Sequence, residues 1–178
     1  MIKLATDNIT LREFTPYDKY RLAELANNPK ISINLRDGFP NPYTLADAES
    51  FLEKYAAQES SLVLAIEYEG VYVGNIGLHK GSDVYRKSAE IGYFLGEPYW
   101  GKGIMTRAVQ LICDYGFANL DIVRIYAGIF EFNPASMRVL EKCGFTKESV
   151  AKKAIVKNNR IYDEIKYSKV IDNENFML

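Results

Sequence analysis

The sequence predicts an α/β (α+β) fold: one domain over residues 1–178, with a central mixed, mostly antiparallel sheet and helices on both faces. Three observations carry that prediction. Strand-like and helix-like stretches alternate in the order β α α β β β α β α β β, with no internal repeat, low-complexity run or Pro/Ser linker between them. Two runs, SAEIGYFLG at 88–96 and IVRIYAGIF at 122–130, are apolar on both sides, as central strands are. Each of these runs leads into a helix, one beginning near Ile104 and the other at Asn133.

The elements follow in order. NITLREF (8–14) alternates as a strand. Thr15, Pro16 and Asp18 then read as N-cap, N1 and N3 of a helix that closes at ANNP (26–29). A second helix starts at Thr44, with Asp47 three residues on and Leu45, Ala48, Phe51, Leu52 and Tyr55 along one face. Between them, ISINLRDGFPNP (31–42) reads as a loop, either a plain connector or the rim of a substrate entrance. SLVLAIEYEGVYVGNIGLHKG (61–81) is a hairpin turning at Glu69-Gly70. Beyond the first central strand, Ile104, Ala108, Leu111, Ile112 and Tyr115 recur at helical spacing as far as Asn119. NPASMRVLEKCGF (133–145) is a helix with Asn133 as N-cap, Pro134 at N1 and Gly144 past its end. VAKKAIVKNNRIYDEIKYSKV (150–170) closes the chain as a hairpin around Asn158 and Asn159.

Composition narrows the function. With 48% hydrophobic residues in 178, the chain can bury a substantial core. Lys plus Arg number 22 against 23 Asp plus Glu, a net charge of −1 that leaves no electrostatic footprint for nucleic acid. No stretch approaches the roughly 20 apolar residues of a membrane span, and the first residues lack an apolar secretory core, so a cytoplasmic protein with no membrane partner is expected. Cys113, Cys143 and the lone His79 have no metal-ligand or disulfide spacing, so no metal is expected and both cysteines read as reduced and packed. His79, in NIGLHKGSD, reads as a structural or exposed strand-end residue rather than a member of a Ser-His-Asp or Cys-His engine.

The chemistry centres on EPYWGKGIMTRA (97–108). A Gly-Lys-Gly turn between a central strand and a helix start lets successive N–H groups converge, and the helix dipole adds positive character, which together make a phosphate cradle. A tight turn that binds nothing is the alternative. Neither the P-loop pattern nor the three-glycine dinucleotide pattern is present.

SAEIGYFLGEPYWGKGIMTRAV, paired with NPASMRVLEKCGF downstream, resembles the GNAT acetyltransferases over almost the whole chain, in particular the branch of ribosomal-protein N-terminal acetyltransferases. The resemblance implies acetyl-CoA as acetyl donor and an amine acceptor, either a peptide N-terminus or a small molecule. It implies that the backbone of Trp100, Gly101, Lys102, Gly103, Ile104, Met105 and Thr106 holds the coenzyme pyrophosphate. The main chain of Tyr93, Phe94 and Leu95 pairs with the pantetheine arm, and Asn133 hydrogen-bonds it. Ser136 reaches the coenzyme sulfur, and Arg138 and Lys142 lie near the outer phosphates or on a solvated face. Homodimers are common in the family, and the sequence leaves oligomeric state open. Three positions depart from the family pattern. Pro98 replaces Gln or Arg, Arg107 replaces a glutamate without an evident consequence, and Leu140 replaces the tyrosine that protonates the leaving thiolate, a task that passes to Ser136 or solvent. Direct attack on the thioester needs a proton acceptor. Glu90, opening the strand expected to line the slot and raised in pKa by partial burial, is the first candidate, with Glu131 second. Tyr93 and Tyr126 are candidate walls of the acceptor site. A non-catalytic coenzyme A sensor and a scaffold with an idle turn are the competing readings.

Overall fold

The computed structural model describes residues 2–56 and 61–171. Its elements are β1 (Lys3–Thr6), β2 (Ile9–Arg12), α1 (Asp18–Ala26), α2 (Pro29–Ser32), α3 (Leu45–Ala56), β3 (Ser61–Tyr68), β4 (Val71–Lys80), β5 (Ser88–Leu95), α4 (Ile104–Asn119), β6 (Arg124–Phe130), α5 (Pro134–Lys142), β7 (Thr146–Lys157) and β8 (Arg160–Val170). The eight strands form one sheet in the order β1-β2-β3-β4-β5-β6-β8-β7. Among the described residues β5–β6 is the parallel pair and every other neighbouring pair is antiparallel, as expected of a mixed, mostly antiparallel sheet.

Helices cover both faces. Alternation along each strand sends Ile76, Leu78, Ile91 and Ile125 to the α4 side, where they join Ile104, Ala108 and Ile112 in the larger core. Ala65 and Phe94 face the other way and pack with Leu22 of α1 and Ala48 of α3. Among the described residues no helix is long and apolar enough to cross a membrane, and no group of His, Cys, Asp and Glu is placed to hold a metal ion.

Several element boundaries differ from the sequence expectation. The strand expected over 8–14 is β2, and an unexpected β1 precedes it: the two form a hairpin that folds back at Asp7, which adopts the left-handed region at φ 46°, and Ile9 and Leu11 are fully buried. Thr15-Pro16-Tyr17 makes a turn, and α1 begins only at Asp18, whose carboxylate accepts the Thr15 N–H at 2.7 Å. Asn28-Pro29, read as a helix end, also starts α2, because the Asn28 side chain accepts the Lys30 N–H at 2.9 Å. The expected caps do form elsewhere. Thr44 Oγ1 accepts the Asp47 N–H at 3.3 Å while Asp47 Oδ2 accepts the Thr44 N–H at 2.7 Å, a reciprocal capping box. Asn133 Oδ1 accepts the Ser136 N–H at 3.2 Å, and Gly144 closes α5 at φ +81°.

Candidate active site

The parallel pairing of β5 with β6 covers Ser88–Glu90 against Arg124–Tyr126 and then stops. Beyond it the strands part, and a cleft of about 510 Å³ opens between them, bounded by α2 and by the N-terminal ends of α4 and α5. Every residue nominated for coenzyme binding lines this cleft except Lys102. The Lys102 ammonium instead lies 5.4 Å from the Tyr99 ring centroid, which leaves its main chain as its contribution to the turn.

The strand geometry narrows the pantetheine assignment. Gly96 N–H bonds Val73 O at 2.9 Å, so by antiparallel alternation Phe94, Gly92 and Glu90 direct their main-chain groups to β4, while Tyr93 and Leu95 direct theirs into the cleft. Phe94 is therefore corrected from a main-chain partner of the coenzyme to a ring in the cleft wall. The Leu95 carbonyl is taken by the Trp100 indole N–H at 2.7 Å, which leaves Tyr93 and the Leu95 N–H to face a ligand.

At the floor of the cleft the chain bares its backbone. Gly101 and Gly103 sit at φ +76° and +71°, and a Cβ added at either would meet nothing within 4 Å. The glycines thus leave open space as well as permitting the bend. Gly103 is the N-cap of the 16-residue α4 and supplies no side-chain bond, so the first N–H groups of that helix point into the cleft with the dipole behind them. The donor set and the open cradle fit a diphosphate. Arg107, to which the sequence assigned no role, braces this turn. Its guanidinium donates to Lys102 O at 3.3 Å and to Asn8 Oδ1 at 3.1 Å, tying the glycines to the β1–β2 turn. The β1–β2 hairpin, of which the sequence shows only the second strand, puts Asn8 within reach.

From α5, Ser136 enters the cleft with its Oγ 2.7 Å from the Tyr93 hydroxyl. Burial pushes the Tyr93 phenol well above its ordinary range, so it remains a neutral hydrogen-bonding group. Leu140 is fully buried in the core and supplies no hydroxyl here. Arg138 and Lys142 also line the cleft.

On the opposite face, Glu90 sits at the last paired step before the strands part, in register with Tyr126 on one side and His79 on the other. Its carboxylate is engaged by Arg36 from the loop between α2 and α3 and does not line the cleft. Tyr126 lies outside the cleft wall too, under the Arg124 guanidinium at 5.7 Å. Glu131 is exposed, its carboxylate accepting the Asp163 N–H at 3.2 Å. The same α2–α3 loop is fastened from the far side by buried Lys157, whose ammonium donates to Leu35 O and Asp37 Oδ1, each at 2.7 Å.

Known proteins share this architecture. The family model described as an acetyltransferase (GNAT) domain matches residues 8–146. The uncharacterized N-acetyltransferase YoaA of Bacillus subtilis is 31% identical over 176 residues, 96% of this chain and 98% of that one. Spermidine N(1)-acetyltransferase of Escherichia coli K12 is 28% identical over 142 residues, 79% of this chain and 74% of the relative. The crystal structure of the microcin C7 self-immunity acetyltransferase MccE with acetyl-CoA and AMP superposes with a TM-score of 0.79 at 33% identity, covering 93% of this chain and 94% of that one. Parted central strands, a bared glycine turn and these matches agree: the chain belongs to the GNAT acetyltransferase family and is an acetyl-CoA-dependent N-acetyltransferase.

Proposed function

We propose that residues 1–178 form one acetyltransferase domain that moves the acetyl group of acetyl-CoA to a primary amine by direct attack, in the cytoplasm. The observation that carries this reading is the convergence, in one cleft, of an uncapped α4 N-terminus with the free edge of β5. The amides from Trp100 to Thr106 hold the pyrophosphate, and Arg138 and Lys142 meet the outer phosphates. Tyr93 and Leu95 hold the pantetheine arm, with Asn133 at the mouth of α5. The Tyr93 N–H, aimed into the cleft, is placed to stabilise the oxyanion that forms on the thioester carbonyl. Ser136, held by the Tyr93 hydroxyl, donates a hydrogen bond to the departing sulfur and so takes the place left by Leu140.

The acceptor enters from the Glu90 face. The carboxylates there are matched by cations: Glu90 by Arg36, Glu164 by Lys166 and Asp37 by Lys157. A polyamine needs uncompensated acid to hold its second charge, so this pairing favours a single amine, a peptide N-terminus or the amino group of a small molecule. The test is thiol release from acetyl-CoA with an alanyl peptide, an amino acid amide and spermidine. Turnover of a monoamine above spermidine supports the reading. Tight coenzyme binding without turnover of any amine would favour a coenzyme sensor instead.

A further inference from the structure

A second, smaller cavity of about 110 Å³ lies on the acceptor face, between α3, the α2–α3 loop and strands β3–β5. Leu35, Gly92, Tyr93 and Phe94 wall both cavities, so the two meet at β5 where the strands part. His79, the chain's single histidine, is half-buried in the wall of the smaller one.

Two features aim its imidazole. Gly92, cross-strand partner of Gly77, stands beside it, and a Cβ built on Gly92 would lie 4.0 Å from His79 Nε2. Glycine at 92 puts no side chain of its own between that nitrogen and the shared wall of the two cavities. On the other side of the ring, Nδ1 is 2.9 Å from Ser61 Oγ on β3. When Nδ1–H donates to that hydroxyl, the lone pair sits on Nε2, toward Gly92.

We infer that His79 is the proton acceptor of the reaction, taking the amine proton on Nε2 across Gly92; this rests on the acetyl-transfer reading above. Nε2 first takes a proton from the ammonium, and the freed lone pair bonds to the thioester carbon as the carbonyl electrons move to oxygen. The C–S bond then breaks, the second proton of the now cationic nitrogen passes to the thiolate by way of the Ser136 hydroxyl, and the imidazolium returns its own proton to solvent. The surroundings suit the task. Burial holds the imidazole below its ordinary 6.5, Lys54 of α3 and Arg36 of the loop push the same way, and Glu90 opposes them. The Tyr55 ring of α3 lies 5.9 Å away, tilted by 52°, and Ser61 is neutral. The ring is therefore neutral at physiological pH, with a carboxylate beside it to steady the cation it becomes. Glu90, engaged by Arg36, serves as that neighbour and not as the base.

The test compares wild type with His79→Gln and His79→Ala, using an alanyl peptide or spermidine as protonated amine and hydroxylamine as an amine already neutral at pH 7.5. His79→Gln is expected to lower kcat/KM for the protonated amine about 100-fold or more while costing hydroxylamine less than about fivefold. Coenzyme A affinity by calorimetry stays within twofold, added imidazole restores activity to His79→Ala, and the acid limb of the wild-type pH profile disappears. Equal losses with both amines, or an acid limb that survives His79→Gln, would overturn the assignment while leaving acetyl transfer intact. Wild type that binds coenzyme A yet acetylates none of the three would remove the reading and the assignment together.

Discussion

The glycine turn makes a quantitative prediction. At Gly103, φ +71° costs an L-residue about 1–2 kcal/mol, and the position is otherwise open, so Gly103→Ala and Gly103→Val are expected to fold. In a chain of 178 residues each kcal/mol corresponds to about 2–4 °C in Tm, which predicts a drop of roughly 2–8 °C for the alanine variant without ligand. The valine adds bulk where the phosphate must approach. Losing one charge-assisted amide bond, worth about 1.5–3 kcal/mol, weakens coenzyme binding about 10- to 100-fold. At a concentration 100 times the wild-type Kd, coenzyme A stabilises the wild type by about 2.7 kcal/mol, and the weakened variant by only about 1.4 to 0.4 kcal/mol. Thermal unfolding with and without coenzyme A measures both effects, and calorimetry checks the affinity. A valine variant with the expected loss in ligand-free Tm but the full coenzyme-induced shift would refute the phosphate role of the turn.

Four more outcomes are expected. Ser136→Ala should lower kcat about 10- to 100-fold with coenzyme affinity unchanged, and Tyr93→Phe should add little in that background, since the phenol acts through Ser136; steady-state kinetics of the double variant decides. Glu90→Gln removes the charge that raises the His79 pKa, so the acid limb of kcat/KM should move to lower pH, and a limb that stays in place would separate the two residues. Arg107→Ala releases the glycine turn from the β1–β2 hairpin and should weaken coenzyme A binding several-fold, read by calorimetry. Burial raises the pKa of Asp18, but hydrogen bonds from Arg12 and the Thr15 N–H outweigh it, and the net value lies below the ordinary 3.8. Its stabilisation is thus present above about pH 4 and lost as pH falls through the lower folded value. Asp18→Asn should cost about 3 kcal/mol at pH 7, and the gap to wild type should narrow in acid, as followed by urea unfolding.

The parts of the site that the sequence revealed are those encoded locally. The Gly-Lys-Gly turn, the Asn133 cap and the Thr44–Asp47 box each need only a few consecutive residues, and a cap or a left-handed bend leaves a residue-type signature. The hairpin at Asp7 lacks the glycine that usually announces such a turn, which is why the sequence shows only its second strand and β1 goes unread. The contacts that the sequence does not reveal are non-local. Tyr93 meets Ser136 across 43 positions, Lys157 reaches Asp37 across 120, and Arg36 reaches Glu90 across 54. Pairwise spacing along the chain carries no trace of these contacts; the sheet order creates them. His79 is the sharpest case. Alone in sequence it has no partner within catalytic spacing, and it gains Ser61, Glu90 and an open neighbour at Gly92 only because β3, β4 and β5 lie side by side in this register.

The two sides of the cleft are built from different materials, and that difference bears on specificity. The donor side is main chain fixed by a 16-residue helix and a central strand, so substitutions of most side chains leave it standing. The proposed acceptor side is closed by the loop between α2 and α3, held at three consecutive residues by Arg36 on Glu90 and by Lys157 on Leu35 and Asp37. Arg36 and Asp37 are largely exposed, at 75% and 80%, so these ties cost little to break and re-form. On the proposed function, discrimination among amines resides in this short loop, whose Leu35 also walls the coenzyme cleft.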